Sequence, residues 1–129
     1  MSPTNRGGSV SRTVDLFLDS DQPLDLLAAR LALLTGCQLV ASPDGTRFAM
    51  RQGEVVAYLA EHDFLDDEDL ALSQYRYVLS AVVKGAGELE DSPEAVCLRK
   101  VNALFRQSDA GASLLVMDLD RPSENQVGL

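Results

Sequence analysis

The sequence has no apolar run of the roughly 20 residues that a bilayer crossing needs. Residues 1–8 contain no apolar core, so we expect no signal peptide there. Basic residues are scarce, because 11 Lys and Arg stand against 20 Asp and Glu and leave a formal charge of -9. Such a charge repels phosphate backbones. These absences predict a cytoplasmic protein that binds neither membranes nor nucleic acid.

The sequence has too few cysteine and histidine residues for most metal sites and for most active sites that use a cysteine or histidine in nucleophilic catalysis. The two cysteines, Cys37 and Cys97, lie 60 positions apart and do not suggest a secreted disulfide framework. We expect both to be small buried hydrophobic residues. The single histidine, His62, has no Ser or Cys that the sequence places beside it, which predicts an exposed loop residue. A zinc site would need His62, both cysteines and a carboxylate, without the close pairing that structural zinc sites show. The sequence therefore predicts no cofactor.

The chain has the length and composition of one folded domain. Its 129 residues suffice for one hydrophobic core, and 46% of them are hydrophobic. Residues 1–11 are rich in Ser, Gly, Pro and Asn, and residues 121–129 have a similar polar composition. Such segments bury too little apolar surface to offset the entropy of ordering. We therefore predict two flexible tails around a single domain at residues 12–120.

Apolar periodicity predicts six strands and two helices. The predicted strands lie at residues 12–19, 37–42, 46–51, 54–60, 75–84 and 114–119. The first helix has Pro23 in its first turn and ends at Gly36, and we expect the short polar side chains of Asp19-Ser20-Asp21 to cap its start. The second helix has Ser92 as its cap and Pro93 at its first position.

The resulting order, β-α-β-β-β-β-α-β, predicts an α+β two-layer sandwich. We expect a mixed, mostly antiparallel sheet with both helices on one face, because that arrangement buries both apolar helix stripes in one layer. The strand at residues 75–84 is apolar on both sides, which favours a central position. We expect the apolar strand at residues 114–119 to lie inside the sheet as well.

The most unusual feature is a run of negative charge. Between Arg51 and Arg76 the chain has no Lys or Arg but seven acidic residues, and six of these lie in residues 61–69 (EHDFLDDED). We call residues 61–69 the acidic segment and predict that it is a loop between two strands. Charge runs commonly do no more than solvate a surface. An acidic patch with an aromatic anchor also steers and holds a basic partner. The contact residues that this predicts are Glu61, Asp63, Phe64, Asp66, Asp67, Glu68 and Asp69.

The sequence also allows two cation-binding interpretations of its carboxylates, one in the acidic segment and one in the strands. The acidic segment does not match a calcium-binding EF-hand loop, because it has no Gly at a sharp turn and no closing bidentate Glu. Carboxylates in the first and last strands would gather near the sheet edge if those strands were neighbours. They are Asp15, Asp19, Asp118 and Asp120. Aspartates at strand ends are more often turn or cap residues.

The leading functional hypothesis is a non-enzymatic, cytoplasmic protein-binding module that engages a basic partner through the acidic segment. Immunity and antitoxin-type inhibitors of basic toxins share its small, acidic, motif-poor composition, although no motif here identifies a family. The alternative is a small ligand- or cation-binding enzyme with a pocket between the sheet and the helices. A third possibility is a structural subunit that dimerises through an exposed strand edge.

Overall fold

The computed structural model describes residues 12–62 and 71–117. Within these ranges the strands and helices follow the predicted order. They are β1 (Arg12–Leu18), α1 (Leu24–Thr35), β2 (Leu39–Ala41), β3 (Arg47–Gln52), β4 (Val55–Glu61), β5 (Tyr77–Val83), α2 (Pro93–Gln107) and β6 (Ser113–Met117). The predicted tails at residues 1–11 and 121–129 lie outside the described residues.

The six strands of the described ranges form one sheet in the order β2-β3-β4-β5-β1-β6. Every strand pair is antiparallel, where a mixed sheet was expected. The prediction that the strand at 75–84 is central is confirmed, because β5 lies between β4 and β1. The α+β class and the element order are therefore as the periodicity indicates, and the sheet is more uniform than expected.

The prediction that the last strand lies inside the sheet is wrong, because β6 is an edge strand. Its four hydrophobic residues, 114–117, are half-buried and pack against the clusters on the two faces, which does not require a strand on both sides. Arg106 of α2 donates to the side chain and to the backbone carbonyl of Ser113, each over 2.9 Å. Satisfying an edge carbonyl in this way is one means of protecting an exposed strand.

One hydrophobic cluster joins both helices to one face of the sheet. Every second residue of β1 enters it, because successive side chains of a strand point to opposite faces. The cluster includes Val14, Leu16 and Leu18 of β1, Leu27 and Leu31 of α1, and Leu98, Val101 and Phe105 of α2. Complete burial of each large side chain contributes about 1.5–3 kcal/mol, so this cluster is the main source of stability.

The start of α1 differs from the prediction. Pro23 is the residue that precedes the helix, and no side chain caps it. Ser20, within the predicted capping group, instead accepts from the backbone N–H of Gln22 over 3.2 Å, before the helix begins. The end of α1 is as predicted, because Gly36 has a left-handed φ of 74°, a conformation that glycine adopts without steric cost.

The start of α2 is as predicted. The Ser92 hydroxyl accepts from the backbone N–H of Ala95 over 3.1 Å, and Pro93 occupies the first turn. No helix within the described ranges combines the length and apolarity needed to cross a membrane.

The face of the sheet that turns away from the first cluster, here called the outer face, carries a second and smaller hydrophobic cluster. Phe17 of β1, Val78 of β5 and Leu72 of a short 3-10 turn (Leu72–Gln74) form its buried part. The 3-10 turn belongs to the connection between β4 and β5, the same connection that contains the acidic segment. The chain on the far side of the acidic segment is therefore packed against the outer face.

Candidate functional site

Of the seven predicted contact residues, the structure describes Glu61. It is the last residue of β4, it is exposed, and it pairs in register with Tyr77 at the start of β5. The other six lie outside the described residues; they are Asp63, Phe64, Asp66, Asp67, Glu68 and Asp69. The candidate site is therefore described through the residues on either side of the undescribed part, where the chain leaves β4 and where it enters β5. We call these residues, 61–62 and 75–77, the stems.

The two stems are held together by backbone and side-chain hydrogen bonds. The backbone N–H of His62 donates to the carbonyl of Arg76 over 3.4 Å. The Nε2 atom of His62 lies 2.5 Å from the carbonyl oxygen of Tyr75. Because a carbonyl oxygen only accepts, Nε2 carries the proton in this contact.

His62 is also a packing residue, which corrects the prediction of an exposed loop histidine. Its ring is half-buried and lies edge-on against Phe17, with 4.9 Å between the ring centroids and 84° between the planes. Edge-to-face pairs of this kind stabilise by about 0.5–1.5 kcal/mol beyond their area of burial. His62 therefore fixes one stem to the outer face of the sheet.

The charge of Glu61 has a cation beside it. Its Oε2 atom lies 3.3 Å from a guanidinium nitrogen of Arg76, and both side chains are exposed. The Arg76 guanidinium also lies 5.0 Å from the centre of the Tyr77 ring. An exposed ion pair stabilises by at most about 1 kcal/mol and is readily exchanged. The charge of Glu61 is thus partly balanced by Arg76.

The second stem is joined to the beginning of α1. The Tyr77 hydroxyl donates to the backbone carbonyl of Gln22 over 2.7 Å. Burial raises the pKa of the Tyr77 phenol above its ordinary value, because the phenolate would lose its hydration. The phenol therefore stays protonated and keeps this hydrogen bond.

A polar row crosses the outer face beside the stems. Tyr58, Ser80 and Asp15 are successive register partners on β4, β5 and β1. Asp15 is only 4% exposed and accepts hydrogen bonds from the Ser80 hydroxyl and, over 2.9 Å, from the Thr13 hydroxyl. The carboxylate is thus held by hydroxyl groups as a structural acceptor.

The proposed gathering of four aspartates is not visible in the described residues. The strands concerned, β1 and β6, are neighbours, as that idea requires. Asp15 is nevertheless buried within β1, whereas Asp19 is exposed beyond its end, and four residues of strand span about 13 Å. Asp118 and Asp120 lie outside the described residues. Within residues 12–62 and 71–117, no group of three His, Cys, Asp or Glu is placed to hold a metal ion.

The cysteines behave as small hydrophobic residues. Cys97 is buried, and its thiol donates to the side-chain oxygen of Gln52 over 3.1 Å. Burial raises the pKa of the Cys97 thiol, which keeps it in the poorly nucleophilic protonated form. Cys37 is half-buried and packs against the large hydrophobic cluster.

A pocket of about 350 Å³ lies where the turn between β3 and β4 meets the first half of α2. Its lining combines apolar atoms with one acidic and one basic side chain. The lining residues are Gln52, Gly53, Val55, Asp91, Pro93, Val96, Cys97 and Lys100. This is the kind of location that the alternative hypothesis of a ligand-binding enzyme requires.

An exposed apolar face on α1 was missed by the sequence prediction. Leu26 is 51% exposed and Leu33 is 86% exposed. They lie in a groove of about 500 Å³ together with Ala29 and Arg30. The available signal was the composition of α1, since six of its 12 residues are leucine (LDLLAARLALLT). A helix with leucines outside its buried stripe has more apolar surface than one core can cover.

Comparisons of this chain with protein-family models, with curated proteins and with solved structures found no match.

Proposed function

We propose that this chain is a non-enzymatic protein-binding module that engages a basic partner through the acidic segment. The observation that carries the proposal is the combination of charge and anchoring. Seven acidic residues occur between Arg51 and Arg76 without a single Lys or Arg, and both stems of the acidic segment are tied to the sheet. A loop held at both ends loses less conformational entropy when it binds.

The chemistry of the acidic segment suits a protein partner that presents Lys and Arg. Carboxylates at Asp63, Asp66, Asp67, Glu68 and Asp69 would steer the encounter and pair with those cations. Phe64 would supply the apolar anchor, because aromatic residues at the centre of an interface contribute much of its binding energy. Glu61 would join the contact by exchanging Arg76 for a cation of the partner.

An immunity- or antitoxin-type inhibitor is the concrete form of this proposal. A basic toxin or nuclease binds an anionic substrate with a cationic surface, and a negatively charged surface of the inhibitor would occupy it. The two free cysteines are consistent with a cytoplasmic location, where thiols stay reduced.

The proposal is tested by capture from an extract of the cell of origin with a tagged copy of the chain. The test variant carries Asp66→Lys, Asp67→Lys and Asp69→Lys. The matched control carries Glu88→Lys, Glu90→Lys and Asp91→Lys, which changes the net charge equally on an exposed acidic stretch elsewhere. We expect the test variant to lose a basic protein that both wild type and control retain. Equal retention by all three, or equal loss from both variants, would contradict the proposal.

The pocket between α2 and the β3–β4 turn favours the alternative, a ligand- or cation-binding enzyme. Any cation that binds the folded chain and not the unfolded chain raises the melting temperature. Thermal unfolding with and without Mg²⁺, Ca²⁺ and Zn²⁺ therefore discriminates between the two functions. We expect no shift with any of the three, whereas a saturable shift that Asp91→Asn removes would favour the enzyme.

A further inference from the structure

The exposed face of α1 has the residue spacing of a coiled-coil seam. Leu26, Ala29 and Leu33 follow one another at intervals of three and four, which places them in one line along the helix, and Gln22, which precedes the helix, lines the same groove. We call these four residues the α1 seam. Single exposed leucines are common on protein surfaces, but Leu26 and Leu33 are aligned and border one groove. Ala29 lies between them and is small enough to let another helix approach closely.

The charged residues beside the α1 seam lie on opposite flanks. Asp25 precedes Leu26 on one side, and Arg30 follows Ala29 on the other. In heptad terms these are a g position and the e position five residues later. Neither side chain forms an ion pair with any described residue, and the Asp25 carboxylate accepts from the adjacent Leu26 N–H over 2.9 Å.

This charge arrangement is complementary to itself in one orientation. When two such helices pack in parallel, the g flank of each meets the e flank of the other, and Asp25 of one copy lies beside Arg30 of the second copy. The two-fold axis repeats the contact, which gives two ion pairs. When the helices pack antiparallel, like flanks meet and neither pair forms.

We propose that the protein forms a parallel, two-fold symmetric dimer in which the α1 seams of two copies pack together. The occupant of the exposed α1 face is thus a second copy of this chain. The interface is small, because 12 residues of helix span about 18 Å. Such an interface buries less than the roughly 800 Å² per partner of a standard complex, so we expect a dissociation constant between about 1 µM and 1 mM.

The dimer has a consequence for the acidic segment. Because Tyr77 is bonded to Gln22, the stems lie at the N-terminal end of α1. A parallel pair of helices places both N-terminal ends together. Two acidic segments would therefore depart from the same end of the dimer, which allows bivalent binding of a basic partner. The dimer itself does not depend on the proposed function.

Sedimentation equilibrium of the full chain, from about 1 µM to about 1 mM, tests for the dimer. We expect a reversible monomer–dimer equilibrium that Leu33→Lys abolishes with the melting temperature unchanged, because that side chain is exposed in the monomer. Val96→Lys, at an exposed apolar position on α2, is the matched control and should dimerise like wild type. A wild-type chain that stays monomeric over this whole range would overturn the proposal. A dimer that survives Leu33→Lys would also overturn it, because that result is what dimerisation through a strand edge predicts.

Charge exchange tests the flanking contacts. Asp25→Arg alone and Arg30→Asp alone should each weaken dimerisation by about tenfold, since each replaces two attractive pairs by two repulsive ones. The double variant Asp25→Arg/Arg30→Asp should restore the wild-type dissociation constant. Failure of the double variant to recover would contradict the parallel pairing.

Cross-linking tests the orientation directly. In a Cys37→Ser background, Leu26→Cys places two thiols opposite each other in a parallel dimer, within reach of a disulfide. Oxidised glutathione should then convert the Leu26→Cys chain to a covalent dimer without any other variant present. As the new disulfide forms, each oxidised glutathione is reduced to two thiols. Cross-linking that requires a mixture of Leu26→Cys and Leu33→Cys chains would show antiparallel packing and overturn the proposal.

Discussion

The phenolic hydroxyl of Tyr77 donates a hydrogen bond to the backbone carbonyl of Gln22 over 2.7 Å, although the two residues are 55 positions apart. The bond joins the beginning of β5 to the residues that lead into α1. It also links the stems of the acidic segment to the helix that carries the exposed leucines. One contact thus relates the two surfaces that we propose as binding sites.

Removing that hydroxyl should destabilise the fold. We expect Tyr77→Phe to lower the free energy of unfolding by about 1 kcal/mol, the ordinary contribution of one such hydrogen bond. Tyr58→Phe is the control, because Tyr58 is 44% exposed on the outer face, and it should change stability little. Urea denaturation of both variants measures the difference. Equal effects in the two variants would show that the Tyr77 hydroxyl contributes nothing particular.

The same residue predicts a pH dependence. Burial raises the pKa of Tyr77 in the folded chain, whereas in the unfolded chain the phenol titrates near its ordinary value of about 10. The stabilisation is therefore complete below about pH 10 and is lost as the pH rises toward the folded pKa. Wild type should lose stability above about pH 10 more steeply than Tyr77→Phe. Parallel pH profiles would contradict the assignment.

The His62 side chain should hold the stems in place. His62→Ala removes its ring contact with Phe17 and its bond to the Tyr75 carbonyl, so we expect a loss of about 1–2 kcal/mol. Glu61→Gln removes only an exposed ion pair and should cost less than about 1 kcal/mol. Chemical denaturation compares the two. Because His62→Ala leaves every carboxylate of the acidic segment in place, weaker capture of a basic partner by this variant would reflect the lost anchoring.

Glu94 is a buried carboxylate whose removal should raise the free energy of unfolding. It is 4% exposed, and its Oε1 atom has no hydrogen-bond partner among the described residues. An unsatisfied buried oxygen costs about 1–3 kcal/mol, of which the N-terminus of α2 returns about 0.3–1 kcal/mol. We expect Glu94→Met to raise the free energy of unfolding by about 1 kcal/mol, measured in urea, with the exposed Glu90→Met as a neutral control. A loss of stability on Glu94→Met would indicate a partner for this carboxylate.

Local patterns in the sequence were sufficient for the element order. The recurrence of Val14, Leu16 and Leu18 at every second position identifies β1, and Ser92 followed by Pro93 identifies the start of α2, because each signal acts within a few residues. The start of α1 was misjudged because the Ser20 hydroxyl accepts from the backbone N–H of Gln22, before the helix begins, instead of from the helix. Strand order and the edge position of β6 depend on long-range packing, which periodicity does not encode.

The environment of the candidate site also depended on distant residues. The burial of His62 follows from its contact with Phe17, 45 positions earlier in the chain, and the neighbour of Glu61 is Arg76, 15 positions later. Neither partner is marked by a motif. The exposed leucines of α1 were missed for a different reason, because the buried stripe around Leu27 and Leu31 accounts for only part of a helix in which six of 12 residues are leucine.

The salt dependence of binding tests the central claim, that the acidic segment is the contact surface for a basic protein. The measurement is the dissociation constant of the captured partner from about 50 mM to about 500 mM salt, for wild type and for Asp66→Asn/Asp67→Asn/Asp69→Asn. We predict that affinity falls steeply with salt for wild type, and that the neutralised variant binds more weakly with a clearly shallower dependence. Identical affinities and identical salt dependence for the two chains would contradict the account.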